Sequence, residues 1–145
     1  MKIVWRQPGG LVECPYFKRT IFDFKFFSIR IHEWLADDDH RHMHDHPNWF
    51  LTIVLKGGYV DISDNGEDIL SLGSFRFRKA DYRHMVTKVK PGTITFLIAG
   101  PMSRRWGFWV NGKLIKRDKY FITKGHHPCD PLDEPVRLKP GGKRL

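Results

Sequence analysis

At 145 residues the chain is the size of one compact domain, long enough to bury roughly two-thirds of its unfolded surface and to need no disulfides or oligomerisation for stability. Apolar residues at 41% and aromatics at 14% exclude a wholly disordered chain, and the longest apolar stretches, such as Ile94 to Ala99, are strand length and cannot span a bilayer. Lys and Arg total 25 against 16 Asp and Glu, a formal charge of +9 that attracts a phosphorylated or carboxylate small molecule, or nucleic acid. The expectation is a single domain over 1–145 whose last stretch, about 125–145, is an irregular tail with Pro128, Pro131, Pro135 and Pro140.

Short β-type segments dominate in chain order. Phe24 to Leu35 places Phe27, Ile29 and Ile31 on one face and Ser28, Arg30 and His32 on the other. Trp49 to Leu55 is a continuous apolar run, which suits a strand buried on both faces. Tyr59 to Ile62 resumes the pattern after Gly57-Gly58, and Asp64-Asn65-Gly66 signals a hairpin with positive φ at both central positions. Further strands are expected at Ser74 to Arg78, Thr93 to Ile98 and Arg105 to Val110, with a second Asn-Gly turn at Asn111-Gly112 before Leu114 and Ile115. No window carries a persuasive helical stripe. Regularly spaced strands with Gly, Pro and Asn punctuation argue for an all-β sandwich or barrel of six to eight strands.

Cys14 and Cys129 are too few and too far apart to form a disulfide framework, and free thiols fit a reducing cytosol. Lys2 is followed by no apolar run long enough for a signal peptide, so the expected location is the cytoplasm, with no membrane partner.

His40, His42, His44 and His46 stand two apart, and alternate residues of an extended chain project to the same side. Several imidazoles can therefore line one wall of a pocket and ligate a metal in their neutral form. His44 and His46 could supply two ligands, and His84 is the leading candidate for the third. Four alternating histidines could equally form a polar strand edge. Ligands drawn from two separate segments are what tip the reading toward a preformed site.

The segment His44-Asp45-His46-Pro47-Asn48-Trp49-Phe50, continuing to Gly57, resembles the first motif of the cupin superfamily. His44 and His46 take its histidine positions, Phe50 falls at its Glu, and Gly57 at its closing glycine. The second motif begins at Gly73 and places His84 at its histidine, with Lys79, Asp81 and Lys88 in place of Pro, Gly and Asn. The resemblance covers roughly residues 29–98. It implies a single cupin-type double-stranded β-helix, or jelly-roll, barrel. It also implies one divalent metal, Fe(II), Zn, Mn or Ni, on His44, His46 and His84, with His42 as an alternate if the register shifts. Phe50 cannot coordinate, so the site would be three-histidine with open positions. Asp45, pointing away from a regular strand's histidine face, would support the ligands from behind or lie in a loop.

The function so implied is a metal-dependent enzyme of oxygenase or isomerase type acting on a small anionic molecule. His42 and Tyr82 are the candidate catalytic residues, and Arg83, Arg104 and Arg105 the candidate substrate contacts, since guanidinium groups bind phosphate and carboxylate bidentately. Loss of the Glu favours an alternative, a non-catalytic binding module for a small ligand or nucleic acid, although no nucleic-acid motif is present. A homodimer is a third expectation, through pairing of the strand within residues 24–35. Trp106 and Phe108 are expected in the core. Arg76 and Arg78 alternate with Phe75 and Phe77, which predicts phenylalanines inward and arginines outward. His126-His127-Pro128-Cys129-Asp130 lacks a complete zinc spacing and reads as a surface loop.

Overall fold

The computed structural model describes residues 1–10, 15–38, 42–123, 138–139 and 143–144. Cys14, His40, Cys129, the cluster at 126–130 and most of the expected tail lie outside them. Among the described residues the chain forms β1 (Lys2–Gly10), β2 (Pro15–Asp23), β3 (Ser28–Trp34), β4 (Phe50–Lys56), β5 (Gly58–Ser63), β6 (Gly66–Ser71) and β7 (Phe75–Arg78). There follow β8 (His84–Thr87), β9 (Thr93–Ala99), β10 (Gly107–Val110), β11 (Lys113–Lys116), the helix α1 (Arg117–Thr123), and the short pair β12 (Leu138–Lys139) and β13 (Lys143–Arg144). No helix among the described residues is long and apolar enough to cross a membrane.

Two antiparallel sheets make the barrel. The first runs β1-β2-β3-β9-β4-β7. The second is β6-β5-β8, joined to the hairpin β10-β11 through His44, which bridges to His84 on one side and Phe108 on the other. β3 lies between β2 and β9, hydrogen-bonded on both edges, so it cannot pair with a second copy as an open edge.

The first sheet inverts the usual reading of alternation. On β4 it is Phe50, Thr52 and Val54 that are buried, while Leu51 and Ile53 are partly covered and Leu55 is exposed. This strand is therefore buried on one face, not on both. On β7, Phe75 and Phe77 are each 53% exposed, and Arg76 and Arg78 turn inward. The expected orientation of this strand is thus reversed, and the physical reason is Asp68 on the facing sheet. Arg76 donates two bonds to it (2.8 and 2.9 Å) and Arg78 one (2.7 Å). Those bonds, Arg76's foremost, draw the Asp68 carboxyl down to about 2.

One hydrophobic core closes the end of the barrel around Trp34, Val54, Tyr59, Leu70 and Val86, with Tyr16, Phe17 and Val89 against it. A second holds Phe108, Val110 and Tyr120, with Trp106 and Ile115 packed on it. Phe108 and Trp106 are thus core residues. Tyr120 comes from α1, is fully buried and stacks on Phe108 at 3.8 Å. This helix and the strands β1 and β2 were not among the sequence expectations.

The turns follow local chemistry. Asn111 and Gly112 both take positive φ (49° and 73°), which gives the two-residue hairpin expected of Asn-Gly. At the other hairpin the tip is Asp64-Asn65, and only Gly66 is left-handed (φ 103°), so the expected geometry is corrected there. Gly57 has φ 76°, and a Cβ at that position would run into Thr93, whose hydroxyl accepts from Gly58 N at 2.9 Å.

Candidate metal centre

The segment between β3 and β4 is not a regular strand. Among its described residues only His44 forms a β-bridge: its amide and carbonyl exchange both bonds with those of His84 (2.9 Å each). His46 is tied by its amide to Ala80 O at 3.0 Å. These ties bring two histidines of one segment against a third that is 38 residues further along, as the spacing requires. One ring nitrogen from each of His44, His46 and His84 lies within 4.8 Å of the others. His46 Nε2 and His84 Nε2 are 3.4 Å apart.

That separation fits a metal. Two nitrogens bound tetrahedrally at about 2.0–2.1 Å lie about 3.4 Å from one another. His84 is buried, and its Nδ1 sits 2.6 Å from Asp61 Oδ1. A neutral His84 that donates from Nδ1 directs the Nε2 lone pair at His46, the arrangement by which a carboxylate orients a ligating imidazole. Asp61 is 2% exposed, and its other oxygen accepts from the Tyr82 hydroxyl (3.2 Å) and Arg78 Nη2 (3.3 Å). On the far side, His44 Nδ1 is 3.9 Å from Asp38 Oδ2, a carboxylate that also accepts from Val86 N at 2.9 Å. Burial, reinforced by His44 and His84, holds His46 well below the ordinary imidazole range and keeps it in the uncharged form that binds metal. The ring of Phe50 lies 4.5 Å from His46 and 6.0 Å from His84, closing the position where a carboxylate ligand would stand.

The other expected site residues are placed as follows. His42 turns away from the trio, with Nδ1 3.0 Å from the Tyr120 hydroxyl, so the alternate ligand lies in the second core. Tyr82 is beside the centre, its ring 5.2 Å from that of His84 and beneath the Arg78 guanidinium at 4.4 Å. Arg104 is a structural partner: its Nη1 donates to Asp45 at 2.7 Å and to Ala80 O at 3.2 Å. Arg83 donates to Asp64 at 2.8 Å and covers the Trp109 ring at 4.6 Å, and Arg105 is exposed. Asp45 points away from the histidines and is fully buried, accepting also from Gly107 N and Trp109 Nε1, both at 3.0 Å.

Sequence reasoning passed over Asp61 and Asp38. An aspartate inside a β-pattern, in Val60-Asp61-Ile62, was the available signal, because a buried carboxylate needs a donor to hold. It also passed over His32, which faces the interior from β3. Burial foremost, then Arg19 and Arg30, pushes its imidazole down to about 3. An unfolded histidine titrates near 6.5, so between about 6.5 and 3 the unfolded chain binds the extra proton. Stability is then complete above that window and falls as pH drops through it, by about 1.4 kcal/mol per unit. In urea titrations from pH 7 to pH 4, His32→Gln is expected to lose stability less steeply than the wild type. Parallel slopes would show that this side chain does not titrate as its burial implies.

No family model matches the chain, and no curated protein matches it in sequence. Solved structures do match. A chain from the crystal structures of the DMSP lyases RdDddP and RnDddQII aligns with TM-score 0.53 at 19% identity, over 70% of this chain and 63% of that one. KdgF from Halomonas sp. aligns with TM-score 0.54 at 12% identity, over 71% of this chain and 96% of that one. Salicylate 1,2-dioxygenase from Pseudoaminobacter salicylatoxidans, with gentisate, aligns with TM-score 0.52 at 9% identity, over 63% of this chain and 26% of that one. The match thus spans less than two thirds of the DMSP lyase chain and about a quarter of the dioxygenase. The fold they share with this chain is the all-β cupin barrel.

Proposed function

We propose that the chain is a metal-dependent cupin enzyme acting on a small anionic molecule, with one divalent ion, Fe(II), Zn, Mn or Ni, held by His44, His46 and His84. The observation that carries this reading is the convergence of the three imidazoles, two half-buried and His84 buried, with His84 held by Asp61 at 2.6 Å. When bound, such an ion polarises an oxygen of the substrate or activates water or dioxygen at its open positions. The chain's own part is to hold three imidazoles on one point, to exclude a fourth protein ligand with Phe50, and to keep the Tyr82 hydroxyl on Asp61 beside His84. Lyases and a dioxygenase stand among the structural neighbours, so the barrel accommodates more than one reaction type, and oxygenation and isomerisation are the types proposed here.

A second reading, a binding module without catalysis, is favoured by one observation, the phenyl ring of Phe50 at the position of the usual carboxylate ligand. Elemental analysis of untagged protein separates the two. About one equivalent of metal in the wild type, lost in both His44→Ala and His84→Ala with the β-sheet circular dichroism retained, is the expected result. No metal in the wild type after anaerobic reconstitution would leave the binding module as the better reading.

A further inference from the structure

The inner face of the first sheet is laid out in rows across the strands. Ser28, Ala99, Phe50 and Arg78 form one row, and Arg30, Leu97, Thr52 and Arg76 the next. Arg19, His32 and Thr95 follow. Rows two residues apart are about 7 Å apart along a strand. The His46 ring lies against Phe50, so the Arg30 row begins one step from the three imidazoles.

Four arginines lie in these rows, and they are not equivalent. Arg76 and Arg78 are neutralised by Asp68 and Asp61. Arg30 donates to Ser28 Oγ (2.9 Å) and Arg19 to Gln7 Oε1 (2.9 Å), both neutral acceptors, and neither arginine has an ion-pair partner among the described residues. Burial pulls both guanidinium groups below their ordinary range. Arg19 adds to the depression of Arg30, and Arg117 to that of Arg19. His32 Nε2 is sealed from solvent without a hydrogen-bond partner among the described residues. Arg117 stands at the rim, 5.7 Å from the Trp106 ring centre, and Trp106 is 6.2 Å from His44. Half-buried cations normally sit on an anion, and among the described residues neither arginine has one at ion-pair distance, Asp23 acting on Arg30 only from further off.

We propose that Arg30 and Arg19, with His32 Nε2, form an oxyanion subsite that grips the carboxylate or phosphate end of a small acid and turns the rest of it toward His44, His46 and His84, with Arg117 at the entrance. This rests on the reading of the barrel interior as the binding site, but not on the metal. Planar guanidinium matches either oxyanion in bidentate fashion, and a neutral His32 can donate from Nε2.

The test is calorimetric titration of metal-free protein with succinate, with inorganic phosphate, and with uncharged succinamide. Saturable binding of one oxyanion and not of succinamide is expected, weakened about 10- to 100-fold in Arg30→Gln and kept in His84→Ala. Arg30→Lys, which keeps the charge and loses the fork, is expected to fall between. The tighter of succinate and phosphate identifies the headgroup. Binding undiminished in Arg30→Gln, or absent from the metal-free wild type and seen only with metal added, would overturn the subsite while leaving the metal centre standing. Oxyanion binding that follows Arg30 in a protein that takes up no metal would overturn the metal centre alone.

Discussion

Replacing Asp45 by alanine is expected to destabilise the fold by about 3–5 kcal/mol, because it strips a buried carboxylate from three donors at once. Arg104 Nη1, the amide of Gly107 and the indole of Trp109 all converge on this fully buried side chain. Without it, an arginine loses its counter-charge, and the buried Gly107 amide and the half-buried Trp109 indole lose their acceptor. Asp45→Asn keeps the shape and one acceptor, so its cost is expected to be smaller, about 1.5–3 kcal/mol. Urea unfolding of the three proteins at pH 7 measures both. A loss under about 1 kcal/mol for the alanine variant would mean that these donors find other acceptors and that Asp45 is not what fixes β10 against the histidine segment.

The second large effect concerns the metal itself. Asp61→Ala is expected to weaken metal affinity about 10- to 100-fold, though Asp61 touches no ion, because His84 would lose the partner that fixes its tautomer and ring orientation. Arg78 keeps Asp68 at 2.7 Å, so the barrel retains an ion pair on that strand. Asp61→Asn can still accept from His84 Nδ1 through its carbonyl oxygen and is expected to lose less. Competition against a chromophoric chelator gives the affinities. Wild-type affinity in the alanine variant would show that packing alone orients His84.

The sequence made the barrel and its three histidines legible for a definite physical reason. Strand periodicity, Asn-Gly turns and His-x-His spacing are local signals, and each is read within a few residues. The orientation of the strands was not legible. Phe75-Arg76-Phe77-Arg78 alternates cleanly either way, and what turns the arginines inward is Asp68, on a different sheet. The same applies to Ser28, Arg30 and His32, whose polar face is the interior face of β3. A pattern rule that sends apolar residues inside fails in a barrel whose interior face carries Ser28, Arg30, His32, Arg76 and Arg78 in the place of part of an apolar core. Arg83 and Arg104 were singled out as ligand contacts for their charge, yet each has an aspartate of its own at 2.7–2.8 Å. Arg19 and Arg30, which have no aspartate at that distance among the described residues, differ: Arg30 belonged to the polar face of an expected strand, and Arg19 lies on β2, which no local pattern signalled.

Among the described residues the second sheet is continuous only through His44. On its two sides the joins are the paired bonds between His44 and His84, and the bonds from Asp45 N to Gly107 O and from Trp109 N to Met43 O. The hairpin β10-β11 and α1 are therefore held to the rest of the barrel by these peptide groups together with the side chains of Asp45, His42 and Arg83. An excursion that frees this unit removes one of the two flanks of His44 and leaves it held by its bonds to His84 alone. An ion held across the proposed trio would tie His44 to His84 and so brace this seam from inside the barrel.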